Sequence, residues 1–187
     1  MRHRQSGAIT HTGDECHTEL STGFRVGKSS PPIETLGAIE ELNSWIGVLL
    51  ALYISPTAKE VLKQVQQDLF DLAAQVSAPG TPLLSPAYLA PISESYERMS
   101  GDLGTSEELH LPGGVLSACF GHVARAVCRR AERQLVSLGD LNGRVEATEP
   151  KESASAKNWG VCYLNRLSDL LFVASCLENR SRSRTDT

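Results

Sequence analysis

The sequence predicts an all-α protein, a five-helix up-and-down bundle with an N-terminal arm. Two observations carry that prediction. Apolar residues recur at three- and four-residue steps in successive stretches separated by proline- and glycine-rich breakers, and no stretch shows convincing strand alternation or an internal repeat. The chain has 187 residues, 41% hydrophobic and 21% charged, enough to bury one core without disulfides or a metal. Long helices joined by short loops favour up-and-down packing.

Each element follows from its own pattern. Residues 1–33 are rich in Gly, Thr, Ser and His without a sustained hydrophobic period, so they read as a loop or arm. From Ile33 a helical pattern begins, with Leu36, Ile39, Leu42, Ile46, Leu49, Leu50 and Tyr53 on its apolar side, and Pro31 and Pro32 suit its first turn. Ser55 and Pro56 break it. A second helix is expected from about Thr57 to Ser77, with Val61, Val65, Leu69, Leu72 and Val76 as its stripe. A proline-rich turn covers 78–86, and a weaker helix runs from about Tyr88 to Asp102. Leu111 to Gly114 (Leu-Pro-Gly-Gly) is another breaker ahead of a fourth helix, about Val115 to Leu138. A polar loop is expected from Gly139 to about Glu152, then a last helix from about Ala154 to Leu177, packed through Tyr163, Leu167, Leu170, Leu171 and Ala174. The Arg-, Ser- and Thr-rich tail 178–187 is expected to be disordered, and the whole of 1–187 to form a single domain.

Charge and composition narrow the function. Eighteen basic against twenty-two acidic residues give a net charge of −4, which argues against a general nucleic-acid binder and makes any basic cluster a local site. The five cysteines, Cys16, Cys119, Cys128, Cys162 and Cys176, are odd in number without a CxxC pair, as expected of free thiols in a reducing cytosol. No apolar run follows the N-terminus and no segment approaches the ~20 apolar residues of a membrane span. The soluble cytoplasm, without a membrane partner, is the expected location.

The most specific feature lies on the fourth helix. Arg125, Arg129, Glu132 and Arg133 fall at i, i+4, i+7 and i+8, one stripe of an α-helix. Phe120, Ala124, Val127, Cys128, Ala131 and Leu135 form a second stripe, well round from the first. Three guanidiniums around one carboxylate suit a polyphosphate, because the planar fork of arginine makes paired charge-assisted bonds to phosphate oxygens. A solvated surface helix with Glu132 paired to Arg129 is the alternative, worth only about a few tenths of a kcal/mol. Elsewhere, Thr10, Thr12, Gly13 and Asp14 make a polar turn whose N–H groups and hydroxyls can cradle phosphates; Thr18 adds a hydroxyl and Lys28 a point charge. On the last helix Asn165, Ser168, Asp169 and Phe172 share a face away from the leucine stripe. Asn165 reads by itself as an interhelical hydrogen bond, and Asp169 as a structural residue with an arginine partner. His11, Cys16 and His17, or Cys119 with His122, lack the usual zinc spacing, and no metal ligands are assigned.

With these pieces located, the chain resembles the cobalamin adenosyltransferase family of the propanediol-utilisation type, from about Ala8 to Leu177. The resemblance rests on six ordered blocks: the arm from Thr10 to Lys28; Gly37 with Glu41 to Ser44; Gln67 to Leu72; Leu111 to Gly114; Cys128 to Arg133; and Tyr163 to Phe172. It implies a homotrimer with an active site at each subunit interface, the arm from one subunit and the fourth-helix arginines from its neighbour. It further implies transfer of the 5′-deoxyadenosyl group from MgATP to cob(I)alamin with release of triphosphate. ATP, Mg²⁺ and cobalamin are then the small-molecule partners, and a flavoprotein reductase and a B12-dependent acceptor enzyme the protein partners. The residues it assigns to the ligands are Thr10, His11, Thr12, Gly13, Asp14, Thr18, Lys28, Arg129, Arg130, Glu132, Arg133 and Asn165, with Arg125, Arg129 and Glu132 acting in the reaction. Leu109 stands where the family carries an aromatic that helps displace the lower ligand of the corrinoid. Three further departures are Cys16 where the family usually has Gly, Glu40 for an Asp that pairs across the interface, and Pro32 for an Arg. Cys16, Pro32 and Leu109 keep open an alternative, a weakly active or inactive paralogue that binds ATP or adenosylcobalamin as carrier or regulator. A helical trimer with an arginine-rich interface and no ligand is the third reading.

Overall fold

The structure, a computed structural model, describes residues 13–52, 54–81, 84–104, 111–146 and 158–183, with the side chains of 140–146 and 182–183 excepted. Five helices dominate: α1 (Pro31–Ala51), α2 (Pro56–Ser77), α3 (Leu89–Leu103), α4 (Leu116–Glu146) and α5 (Trp159–Ser183). A 3-10 turn at Pro86–Tyr88 leads into α3. Tyr53 lies outside the described residues.

The helices start where local chemistry tells them to. Pro31 and Pro32 occupy the first positions of α1, where a missing N–H costs nothing. Pro56 does the same for α2, and the Ser55 hydroxyl accepts from the backbone N–H of Ala58. The predicted stripes then meet in one core. Ile39, Leu42 and Ile46 of α1, Val65, Leu69 and Leu72 of α2, Ile92 and Met99 of α3, and Tyr163, Leu167, Leu170 and Leu171 of α5 are all essentially inaccessible. On α4 the inward positions are small: Ala124, Cys128 and Ala131 are fully buried. Short side chains there let α5 approach closely, and α4–α5 is the most extensive helix pair. In turn α1 packs on α4 and α2, and α3 on α5, while α2 and α3 touch little.

The buried carboxylate of the core is matched. The carboxylate of Asp68, only 3% exposed, accepts from the Tyr163 hydroxyl at 2.8 Å and from Gln64 Nε2 at 2.9 Å. Burial, and then the neighbouring Asp68 charge, push the Tyr163 phenol well above its ordinary range, so it stays a donor.

Several expectations are corrected. The arm holds a short antiparallel hairpin, β1 (His17–Glu19) with β2 (Arg25–Gly27), Thr18 opposite Val26; three-residue strands are too short to show a period of two. Helix α4 continues to Glu146 through most of the expected loop, because helix-forming residues offset the cost of about 1 kcal/mol for each glycine. Helix α5 begins at Trp159 and runs on to Ser183, so residues 178–183 of the expected disordered tail are helical. Long-range bonds hold them. Glu178 Oε1 accepts from the Ser55 N–H at 2.8 Å, and Arg180 Nη1 donates to the end carbonyls of α3, Asp102 and Leu103. Trp159–Ser181 is, by length and composition, long and apolar enough to cross a membrane, contrary to expectation, yet 56% of its apolar window is buried inside the bundle. It is the central core helix.

Candidate functional site

The antiparallel packing of α4 on α5 builds the predicted face. Small residues on the inner side of α4 leave Arg125, Arg129, Glu132 and Arg133 on an outward side beside α5, with Arg129 and Arg133 exposed and Arg125 and Glu132 half-buried. Glu132 does not pair with Arg129. Its Oε1 accepts from Asn165 Nδ2 across the helix pair at 3.3 Å, which is the interhelical bond foreseen for Asn165. Arg125 lies over the ring of Phe172, its Cζ 5.3 Å from the centroid. Among the described residues Arg125, Arg129 and Arg133 form no ion pair, so three positive charges share one face with a single carboxylate. Beneath them Cys128 donates its thiol to the Leu164 carbonyl at 3.2 Å. Burial first, and then Glu132, push that thiol up, so it is no nucleophile at neutral pH.

Two predicted members stand elsewhere. Arg130 points toward α1 and pairs with Glu41, because its place on the helix is more than a quarter turn from Arg129. Ser168 is 1% exposed rather than part of the polar face, and its hydroxyl donates to the Asn165 carbonyl at 2.8 Å. Asp169 is exposed and forms no ion pair among the described residues, so its expected arginine partner is not found.

The arm docks at the far end of α2. Ser21 donates its N–H to Ser77 Oγ and its hydroxyl to the Ser77 carbonyl, both at 2.9 Å, and Leu20 is buried. The hairpin brings Gly13 and Lys28 together: a Cβ on Gly13 would lie 3.0 Å from Lys28 Nζ. Asp14 is exposed nearby and Thr18 half-buried on β1. Thr10, His11, Thr12 and Leu109 lie outside the described residues. The bonds of Ser21 tie the arm to α2 and not to the α4 arginines. A hollow of about 640 Å³ between α2 and α3 contains none of the predicted site residues, whereas a smaller one of about 370 Å³ is lined by Arg130 and Glu41.

Cys16 occupies the left-handed region with φ 61°, alone among described non-glycine residues. Its carbonyl accepts from the Lys28 N–H at 2.8 Å, which closes the turn. A Cβ there costs about 1 kcal/mol or more. Cys16→Gly is therefore expected to tighten MgATP about fivefold, less whatever the more flexible free arm takes back. Titration calorimetry of both proteins at one Mg²⁺ concentration measures this; a clearly weaker Cys16→Gly variant would show that the loop uses the cysteine side chain.

Reasoning from the sequence did not find Phe172 as the partner of Arg125, nor Asn179. Asn179 Oδ1 accepts from the Val115 N–H and its Nδ2 donates to the Gly113 carbonyl, both at 2.9 Å. That fork fixes the start of α4 and hence the register of its arginines. No local signal marks a polar residue in a basic tail for this role.

Comparison with known proteins adds independent findings. The family described as Cobalamin adenosyltransferase matches residues 8–178. A cobalamin adenosyltransferase of Cupriavidus metallidurans is 41% identical over 187 residues, covering 100% of this chain and 95% of the relative. A corrinoid adenosyltransferase of Mycobacterium tuberculosis is 36% identical, covering 91% and 87%. Among solved structures, a variant PduO-type ATP:corrinoid adenosyltransferase from Lactobacillus reuteri, complexed with cobalamin and ATP, superposes with a TM-score of 0.78 at 26% identity, covering 93% of this chain and 94% of that one. A second variant of that enzyme, complexed with ATP, gives a TM-score of 0.79 at 26% identity, covering 94% and 96%.

Proposed function

The chain belongs to the cobalamin adenosyltransferase family, and on that premise we propose that it transfers the 5′-deoxyadenosyl group of MgATP to a reduced corrinoid. The observation that carries this reading is the α4–α5 face, where Arg125, Arg129 and Arg133 have no carboxylate partner among the described residues while Glu132 is held by Asn165. A merely solvated helix would spread or pair these charges.

In the reaction the cobalt of the corrinoid substrate attacks the ribose C5′. The Co–C5′ bond forms, the C5′–O bond breaks, and the electron pair leaves with triphosphate. No proton is abstracted, so Glu132 orients its neighbours rather than acting as a base. Arg129 and Arg133 bind the phosphates or ribose and stabilise charge on the leaving group, Arg125 acts beside them, and Asn165 steadies Glu132. The arm supplies a second wall through Thr10, His11, Thr12, Gly13, Asp14, Thr18 and Lys28, and Leu109 meets the corrinoid. Arg130 serves this site only if Glu41 releases it. Mg²⁺ typically needs only one or two protein carboxylates beside ATP phosphates; Asp14 and Glu132 fit that role, and the described residues gather no larger ligand cluster. The ion supplies charge neutralisation on the phosphates.

The separation of arm and arginines within one chain, and the exposure of Arg129 and Arg133, support a homotrimer in which a neighbour's arm closes each site. The reading also places the enzyme in the cytoplasm, with a flavoprotein reductase and a B12-dependent acceptor enzyme as partners. One observation favours a second reading, a weakly active carrier or regulator: the strained φ of Cys16 within the arm.

Anaerobic spectroscopy of cob(I)alamin with and without ATP tests the activity, with ATP-dependent loss of cob(I)alamin expected. No ATP-dependent difference at saturating substrate would transfer support to the carrier reading. Sedimentation equilibrium is expected to give a trimer at micromolar concentration, and a monomer would remove the proposed site.

A further inference from the structure

Arg125 is held in an unusual way for a charged side chain. Its Nε is buried without a hydrogen-bond partner among the described residues, and its guanidinium carbon sits 5.3 Å from the Phe172 ring centroid. Phe172 is itself lodged against one turn of α4: the His122 ring, three residues before Arg125, lies 6.2 Å from it at 57°. The half-buried Phe172 side chain thus packs between His122 and Arg125.

The contrast with Arg130 shows what this achieves. Arg130 is held by Glu41, and a carboxylate that fixes a guanidinium also neutralises it. An aromatic face fixes a guanidinium through its quadrupole and leaves the full positive charge available. For a group that must meet a polyphosphate, the second kind of support is the useful one.

We propose that Phe172 is a positioning residue for nucleotide binding, holding the Arg125 guanidinium in place on the α4–α5 face without neutralising it. The inference rests on the adenosyltransferase reading for its ligand, MgATP, but concerns binding and is measured separately from turnover.

The test is a double-mutant cycle read by MgATP calorimetry on wild type, Phe172→Leu, Arg125→Ala and the double variant, with thermal melts alongside. Phe172→Leu is expected to weaken MgATP about tenfold when Arg125 is present and to change nothing when Arg125 is already alanine. Phe172→Tyr, which keeps the ring, is expected to bind within about twofold of wild type. Should Phe172→Leu not fold, Phe172→Met fills similar space with a flexible side chain and carries the same comparison. Equal losses in both backgrounds, failure of the tyrosine to restore binding, or a wild-type protein that does not bind MgATP would each overturn the proposal. Wild-type protein that binds MgATP yet never consumes cob(I)alamin would overturn the catalytic reading while the cycle still decides the role of Phe172.

Discussion

Arg129→Ala and Glu132→Ala are each expected to lower kcat/KM for ATP-dependent cob(I)alamin consumption by about thirty- to a thousandfold, with little change in Tm. Lost interactions with a charged ligand are worth roughly 2–4 kcal/mol in the transition state. Arg129 is exposed and bonds to nothing in the described fold, so its removal leaves no buried group unpaired. Glu132 is half-buried, and its partner Asn165 is itself exposed and can turn to water. Steady-state anaerobic kinetics and thermal melts on the same preparations separate the two effects. Near-normal turnover in both variants would reduce the arginine stripe to a structural face.

The largest stability effect is expected at Gly114. This residue has φ 102°, and a Cβ added to it would fall 2.0 Å from Asn179 Oδ1 and 2.5 Å from its Cγ. Asn179 could swing aside only by giving up its bonds to Val115 N and Gly113 O. The left-handed strain adds about 1–2 kcal/mol and the two lost bonds about 1 kcal/mol each. Gly114→Ala is therefore expected to destabilise the protein by about 3 kcal/mol in urea denaturation. Asn179→Ala, which loses the bonds but suffers no strain, is expected to cost about 2 kcal/mol. A Gly114→Ala protein as stable as wild type would mean that this turn relaxes without Asn179.

Much of the architecture was legible because helix formation here is governed by local pattern. Leu42, Val65, Leu69 and Leu167 each belong to a stripe visible within a few turns of their own helix, and each is fully buried. The arginine face was legible for the same reason, since Arg125, Arg129, Glu132 and Arg133 share a side by spacing alone. The ends of elements were not. Gly139 and the polar residues after it resemble a loop locally, yet α4 runs through them to Glu146.

What the sequence by itself determined, then, is the set of helices, their inner faces and the charged stripe, all of which follow from intervals of three and four residues, and the family, which follows from six ordered motif blocks. The tertiary structure decided which arginines stay unpaired among the described residues, because Arg130 finds Glu41 on α1 while Arg125 meets an aromatic ring on α5. It also decided that residues 178–183 continue the helix, since Glu178 meets Ser55 across 123 positions of chain and Asn179 reaches Gly113 across 66. Such contacts depend on the register between two packed helices, and neither helix carries that register in its own pattern.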